Sequence, residues 1–231
     1  MNKRLKIRRR IILSVLAVLL CYGGLAQATV YEWTSGTYEI ADGNNYGMDW
    51  INLRNSAIVN MTGGNLGVLY AYDSSKFNLQ GGNVGAILQF YGTSTANVTG
   101  GFISSGFNMY DNTVLSIGGG ILNGVKIDMD NSNILNLFGG IFGTGNLTPW
   151  IYSKGIINIY GRDLSIVPYY TQVDSIVSGH WADGSAFGFI LGRDQIYNPQ
   201  IVFHEIPEPC MIVLVGFGFF IVRRTIKIPH K

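Results

Sequence analysis

Six times along the middle of the chain, an apolar residue, an asparagine or serine, a second apolar residue and one further residue are followed by a glycine pair. This repeat governs what the chain can fold into. The copies centre on Asn60, Asn78, Asn97, Ser116, Asn136 and Asn158, spaced by 18, 19, 19, 20 and 22 residues, the last with Arg162 in place of its second glycine. Within each copy the apolar and polar residues alternate with period two, as in Phe77-Asn78-Leu79 and Ile157-Asn158-Ile159, which is the periodicity of a strand. A unit of about 19 residues made of short strands cannot bury its apolar side chains alone. Stacked units can, each adding a rung about 4.8 Å from the last.

The spacing therefore predicts an all-β fold: a right-handed parallel β-helix, or β-solenoid, of about six coils of about 19 residues. Six residues before each central Asn or Ser stands an anchor, Arg54, Tyr72, Tyr91, Tyr110, Asp130 and Tyr152, followed by small polar residues that favour a corner. The glycine pair makes a second corner, where a positive φ carries no steric cost. Six residues after each centre comes a further apolar residue, Leu66, Val84, Ile103, Leu122, Phe142 and Leu164. A stack of this kind has open edges at both ends, so residues 29–49 are expected to form a first coil or cap, and a β-rich cap over residues 165–205 to close the other end. Strands are expected around residues 175–177 and 187–191, with Asp183-Gly184 turning between them, and a last strand at 200–204.

The two ends read differently. Residues 1–28 carry a basic head, an apolar run from Ile11 to Leu20, and Ala26-Gln27-Ala28 before Thr29, the pattern of a secretory signal peptide cut after Ala28 by signal peptidase. Residues 206–231 hold Pro207-Glu208-Pro209, an apolar run over 210–222 that includes Gly216 and Gly218, and a basic tail over 223–231 that opens with Arg223-Arg224. Both apolar runs are expected to be helical in a membrane. Thirteen helical residues reach about 20 Å, short of the roughly 30 Å hydrocarbon core, so the second run suits a transient stop better than a permanent anchor. The formal net charge of +2 hides this division, because residues 29–209 hold six basic and fourteen acidic side chains, a net charge of −8, which argues against nucleic acid as a partner. Only Cys21 and Cys210 are present, both in the terminal apolar runs, so no disulfide framework and no cysteine metal site can form in the middle.

The C-terminal arrangement resembles the PEP-CTERM sorting signal of Gram-negative bacteria, with residues 207–209 matching its motif and Arg223 and Arg224 its basic end. The resemblance covers residues 206–231. It implies Sec-dependent export, transient anchoring in the inner membrane, recognition by an exosortase, and release to the surface or extracellular matrix of cells that make exopolysaccharide. Combined with the repeats, it is also similar to repeat-rich PEP-CTERM proteins of planctomycete-like bacteria. The alternative is a permanently membrane-anchored surface protein.

For the repeats themselves, an outward row of Tyr72, Tyr91, Tyr110 and Tyr152, interrupted by Asp130, has the chemistry of a sugar platform. Aromatic rings pack on pyranose C–H faces, and phenol, amide and carboxylate groups bond the hydroxyls. Stacked tyrosines can equally serve only to hold strands together, at about 0.2–1 kcal/mol per pair. The asparagines at the repeat centres are expected to form an outward ladder. A carbohydrate-active β-helix enzyme, a polysaccharide lyase or hydrolase, would use Asp111, Asp128 and Asp130, with Lys126 on the same face offering a plain salt bridge instead. GGNLG and GGNVG do not continue into an Asp-bearing calcium nonapeptide, so neither metal nor cofactor is expected. His180 and His204, with Asp183 beside the first, complete no hydrolase or zinc motif. The expected function is a non-enzymatic, structural or adhesive surface protein that meets exopolysaccharide.

Overall fold

The computed structural model describes residues 28–130, 132–142, 150–168, 174–192 and 199–207, and shows a parallel β-solenoid of about six turns with three sides. Among the described residues there is no helix. The signal sequence before Ala28, residues 208–231 with Glu208, Pro209, Arg223 and Arg224, and both expected terminal helices lie outside the described residues.

The first coil runs through β1 (Val30–Trp33), β2 (Thr37–Ile40) and the start of β3 (Asn45–Leu53). The end of β3 opens the second coil, completed by β4 (Ile58–Met61) and the start of β5 (Asn65–Ala71). The third takes the rest of β5, β6 (Lys76–Leu79) and β7 (Asn83–Val84), and the fourth takes β8 (Leu88–Phe90), β9 (Thr95–Val98) and β10 (Phe102–Ile103). In the fifth and sixth, β11 (Phe107–Met109) and β13 (Lys126–Met129) form the first side, while β12 (Val114–Leu122) and β14 (Ile134–Phe142) each supply the other two. A last partial coil holds β15 (Trp150–Ser153) and β16 (Ile156–Pro168).

The register is that of the repeat. Asn60 pairs with Asn78, Asn78 with Asn97, Ser116 with both Asn97 and Asn136, and Asn136 with Asn158. The flanking residues point inward and are wholly buried, among them Val59, Met61, Phe77, Leu79, Leu135 and Leu137. Each coil thus adds a layer of apolar side chains to one continuous core.

The two corners solve different problems. At the polar corner the chain enters the left-handed region at Asn55, Asp73, Gly92 and Asp111, and the carboxylates of Asp73 and Asp111 accept the backbone N–H of Asn55 and Gly92 one coil earlier, each at 2.8 Å. At the other corner the second glycine takes positive φ, as at Gly101 (+83°), while the first is needed for close approach: a β-carbon on Gly100 would overlap the carbonyl of Gln80. The corner after Met129 has four residues and that after Ser153 only two, because Met129 pairs with Ser153 and Ile134 with Ile156.

The final repeat does not close a coil. Arg162 stands where the second glycine should be, and the left-handed conformation falls one residue later, at Asp163 (φ +52°), inside a bulge between Arg162 and Ser165, so no coil corner forms and β16 continues to pair antiparallel with β17 (Ser175–His180). Leu164, aligned by sequence with the third side, therefore sits in a hairpin. β17 turns at Gly184 into β18 (Ala186–Gly192), which comes back parallel onto β15, and β19 (Gln200–Glu205) lies parallel on β16 and leads to Pro207. Trp181, Phe187 and Phe189 fill this end of the core together with Phe142.

The opposite end is closed by rings. Tyr31, Trp33, Tyr38 and Tyr46 occupy inward positions of the first coil, with Trp33 and Tyr38 stacked at 4.4 Å. On its outer surface, Glu32 and Glu39 are the first members of two columns: Glu32 binds Asn52 and Arg54, and Glu39 accepts from the Asn60 amide at 2.7 Å. Bonds from Asn52 and then Arg54 hold the Glu32 carboxyl below the ordinary carboxylate range.

Candidate functional site

The tyrosine row forms at the polar corner, where Tyr72, Tyr91 and Tyr110 each donate a backbone N–H to the preceding coil and so stand directly above one another. Their rings stack, Tyr72 on Tyr91 at 5.0 Å and Tyr91 on Tyr110 at 4.8 Å, nearly parallel. The guanidinium of Arg54 covers the free end at 4.6 Å from the Tyr72 ring centre. Both faces of Tyr72 and of Tyr91 are thus occupied, and one face of Tyr110. The Tyr91 hydroxyl donates to Gln89 at 2.6 Å, and burial followed by the neighbouring Tyr110 and Tyr72 pushes its pKa up.

Tyr152 is not part of this row. The shortened corner places Lys154 above Asp130, while Tyr152 pairs with Asp128 in the middle of the first side, stacks on Trp150 at 5.9 Å, and lies under the Lys126 ammonium at 4.8 Å. The gap-free alignment of anchors therefore fails at its last member, because two residues are missing from the corner and not from the loop before it.

The asparagine ladder carries side-chain bonds between coils: Asn78 donates to Asn60 at 2.9 Å, Asn136 to Ser116 at 3.3 Å and Asn158 to Asn136 at 2.9 Å, with His204 at 3.2 Å from the last. Of the carboxylates, Asp128 pairs with Lys126 at 2.9 Å, Asp111 holds the Gly92 N–H, and Asp130 sits at the corner after β13. His180 faces Asp163 at 3.2 Å and not Asp183, whose carboxylate accepts the hydroxyl and N–H of Ser185 and is held below its usual range by those bonds. Among the described residues no three His, Cys, Asp or Glu side chains converge.

A trough along the glycine corner escaped the sequence reading. It is an open depression of about 880 Å³ along the third to sixth coils, and a polar stretch of about 300 Å³ continues it toward the first, the two sharing Gly82 and Asn83. Its third-side wall is a single column, Asn45, Asn65, Asn83, Phe102, Ile121 and Ile141, paired in strict register. These outward residues change from amide to apolar halfway along. Phe138 projects beside the apolar half, 44% exposed, and Ile141 is 55% exposed. The turn from Trp181 to Ser185 forms the end wall, fixed by a 2.8 Å bond from the Trp181 indole N–H to the Gly140 carbonyl. The signal was present in the residue after each glycine pair, GGN twice, then GGF and GGI twice.

Fold and surface together define a capped parallel β-solenoid with paired outward ladders and one lateral trough. Comparison with protein families, curated proteins and solved structures finds no match to this chain.

Proposed function

We propose that the chain is an exported surface or extracellular-matrix protein, sorted by an exosortase through its PEP tail, with a structural and adhesive role in a polysaccharide matrix and no catalytic one. The observation that carries the scaffold reading is the mutual coverage of Tyr72, Tyr91 and Tyr110, which turns the most conspicuous outward feature into a strut along the coil axis. Two of the three carboxylates of the enzyme alternative have structural duties instead, Asp128 with Lys126 and Asp111 with a backbone N–H. The coils are taken to wind right-handed, as parallel crossovers within one sheet almost always do. β19, on the last rung, leads directly into Pro207, so a membrane-held tail would tether the solenoid by one end. Its first coil would stand seven strand spacings further out, about 34 Å.

The test is fractionation of the native host with mass spectrometry of the chain's ends, with and without its exosortase. The expected mature chain begins at Thr29, ends near Pro209 and lies outside the cell. An unprocessed tail that stays in the inner membrane in both strains would overturn the sorting role.

A further inference from the structure

Four features of the trough favour one kind of occupant. It runs across the strands, parallel to the coil axis, so a ligand lying in it meets the same corner once per coil. A 1,4-linked pyranose unit is close in length to one strand spacing, about 4.8 Å. One half offers the amides of Asn45, Asn65 and Asn83, and a single inter-coil bond of 3.2 Å between Asn83 and Asn65 leaves most of their donor and acceptor capacity. The other half offers apolar side chains held outward on a solvent-facing side, Phe102, Ile121 and Ile141, where the first three coils carry asparagine.

Phe138 differs from Tyr72 and Tyr91, whose faces are both covered. One of its faces stacks on Tyr160 at 4.4 Å, and among the described residues no other ring lies against it; the preceding repeat has Gly118 at the same place in sequence and no side chain there. A pyranose C–H face fits there. Among the described residues the charged side chains lining the trough are Asp42 and Asp183, with the Arg162 guanidinium beside the turn that carries Asp183, in a chain whose central part is strongly acidic, so a polyanion is disfavoured. The end wall is rigid, because Trp181 is buried, stacked on Phe187 at 3.8 Å and bonded to Gly140.

We propose that this trough, and not the tyrosine face, is the seat of an extended, uncharged polysaccharide, with hydroxyls toward the asparagine half and ring faces toward Phe138 and Ile121. This rests on the matrix-protein reading and supplies its point of adhesion.

The test is affinity electrophoresis of the full chain in detergent through gels holding hydroxyethylcellulose, glucomannan or alginate. The expected result is retardation by at least one neutral polymer and none by alginate. Phe138→Ala and Ile121→Asn, both at outward positions, should each weaken retention at least tenfold with unchanged circular dichroism, and Tyr110→Ala should leave it intact. Retention unchanged in the folded Phe138 and Ile121 variants, retention by alginate alone, or no retention by either neutral polymer would overturn the proposal. Tail processing in the host is read separately, so an empty trough on a correctly sorted protein would refute only the glycan seat.

Discussion

The rings of Tyr91 and Tyr110 lie 4.8 Å apart and within 12° of parallel, one coil above the other. Each hides a face of its neighbour, and Tyr72 hides the remaining face of Tyr91. Tyr91→Ala removes both stacks and should destabilise the solenoid by about 1–3 kcal/mol. Thermal unfolding of the variant measures this, and a melting temperature equal to the parent's would show that the ladder contributes nothing.

The same ladder predicts an alkaline response. Tyr91 has its pKa raised above 10.0 by burial and by neighbouring groups, so the folded state favours the neutral phenol. In an acid whose folded pKa is raised, the unfolded chain ionises first. Stability is then complete below the unfolded value and declines as pH rises past about 10 toward the folded one. Chemical denaturation across that range should show a steeper decline in the parent than in Tyr91→Phe. Equal slopes would contradict the assignment.

A buried polar knot joins two coils at Asn133. Its Oδ1 accepts the N–H and hydroxyl of Thr113 at 3.0 and 2.8 Å, and its Nδ2 donates to the Met109 carbonyl at 2.7 Å. Asn133→Ala strands these groups away from water and should cost about 2–4 kcal/mol. Thr113→Val removes fewer partners and should cost less, an ordering that denaturant midpoints can check.

Gly100 and Gly85 form a matched pair. A methyl group at Gly100 meets the Gln80 carbonyl, whereas at Gly85 it meets open space. Gly100→Ala should cost about 1–3 kcal/mol through overpacking, while Gly85→Ala should be near neutral. Equal melting temperatures would mean the corner relaxes freely.

The solenoid was legible in the sequence because every coil repeats the same inward pattern, and the burial of Phe77, Leu79, Leu135 and Leu137 follows directly from period two. The end of the coil was marked by Arg162, but its meaning depends on the backbone: the left-handed residue is Asp163, one place later than in the other repeats, and β16 bulges there and continues into a hairpin. Tyr152 was misplaced because a step of six residues back from Asn158 crosses a corner that is two residues short and reaches the middle of the strand, level with Asp128, while Lys154 takes the anchor place. The trough was missed for a different reason. It is made by residues of several coils that are neighbours only after stacking, so no window of sequence contains it.

Glu32 and Glu39 have a consequence beyond their own coil. Each is the first member of an outward column on a strand whose other edge has no partner among the described residues, and unpaired edges invite another chain. Two carboxylates at that end set a toll on end-to-end growth: a second molecule adding there would have to desolvate the Glu32–Arg54 ion pair and the Glu39 carboxylate. Exchanging both for asparagine would extend the ladders with neutral amides and should convert a particle of fixed length into a concentration-dependent filament, visible by sedimentation. The acids thus add a terminator of charge to an end that the rings of the first coil already cover.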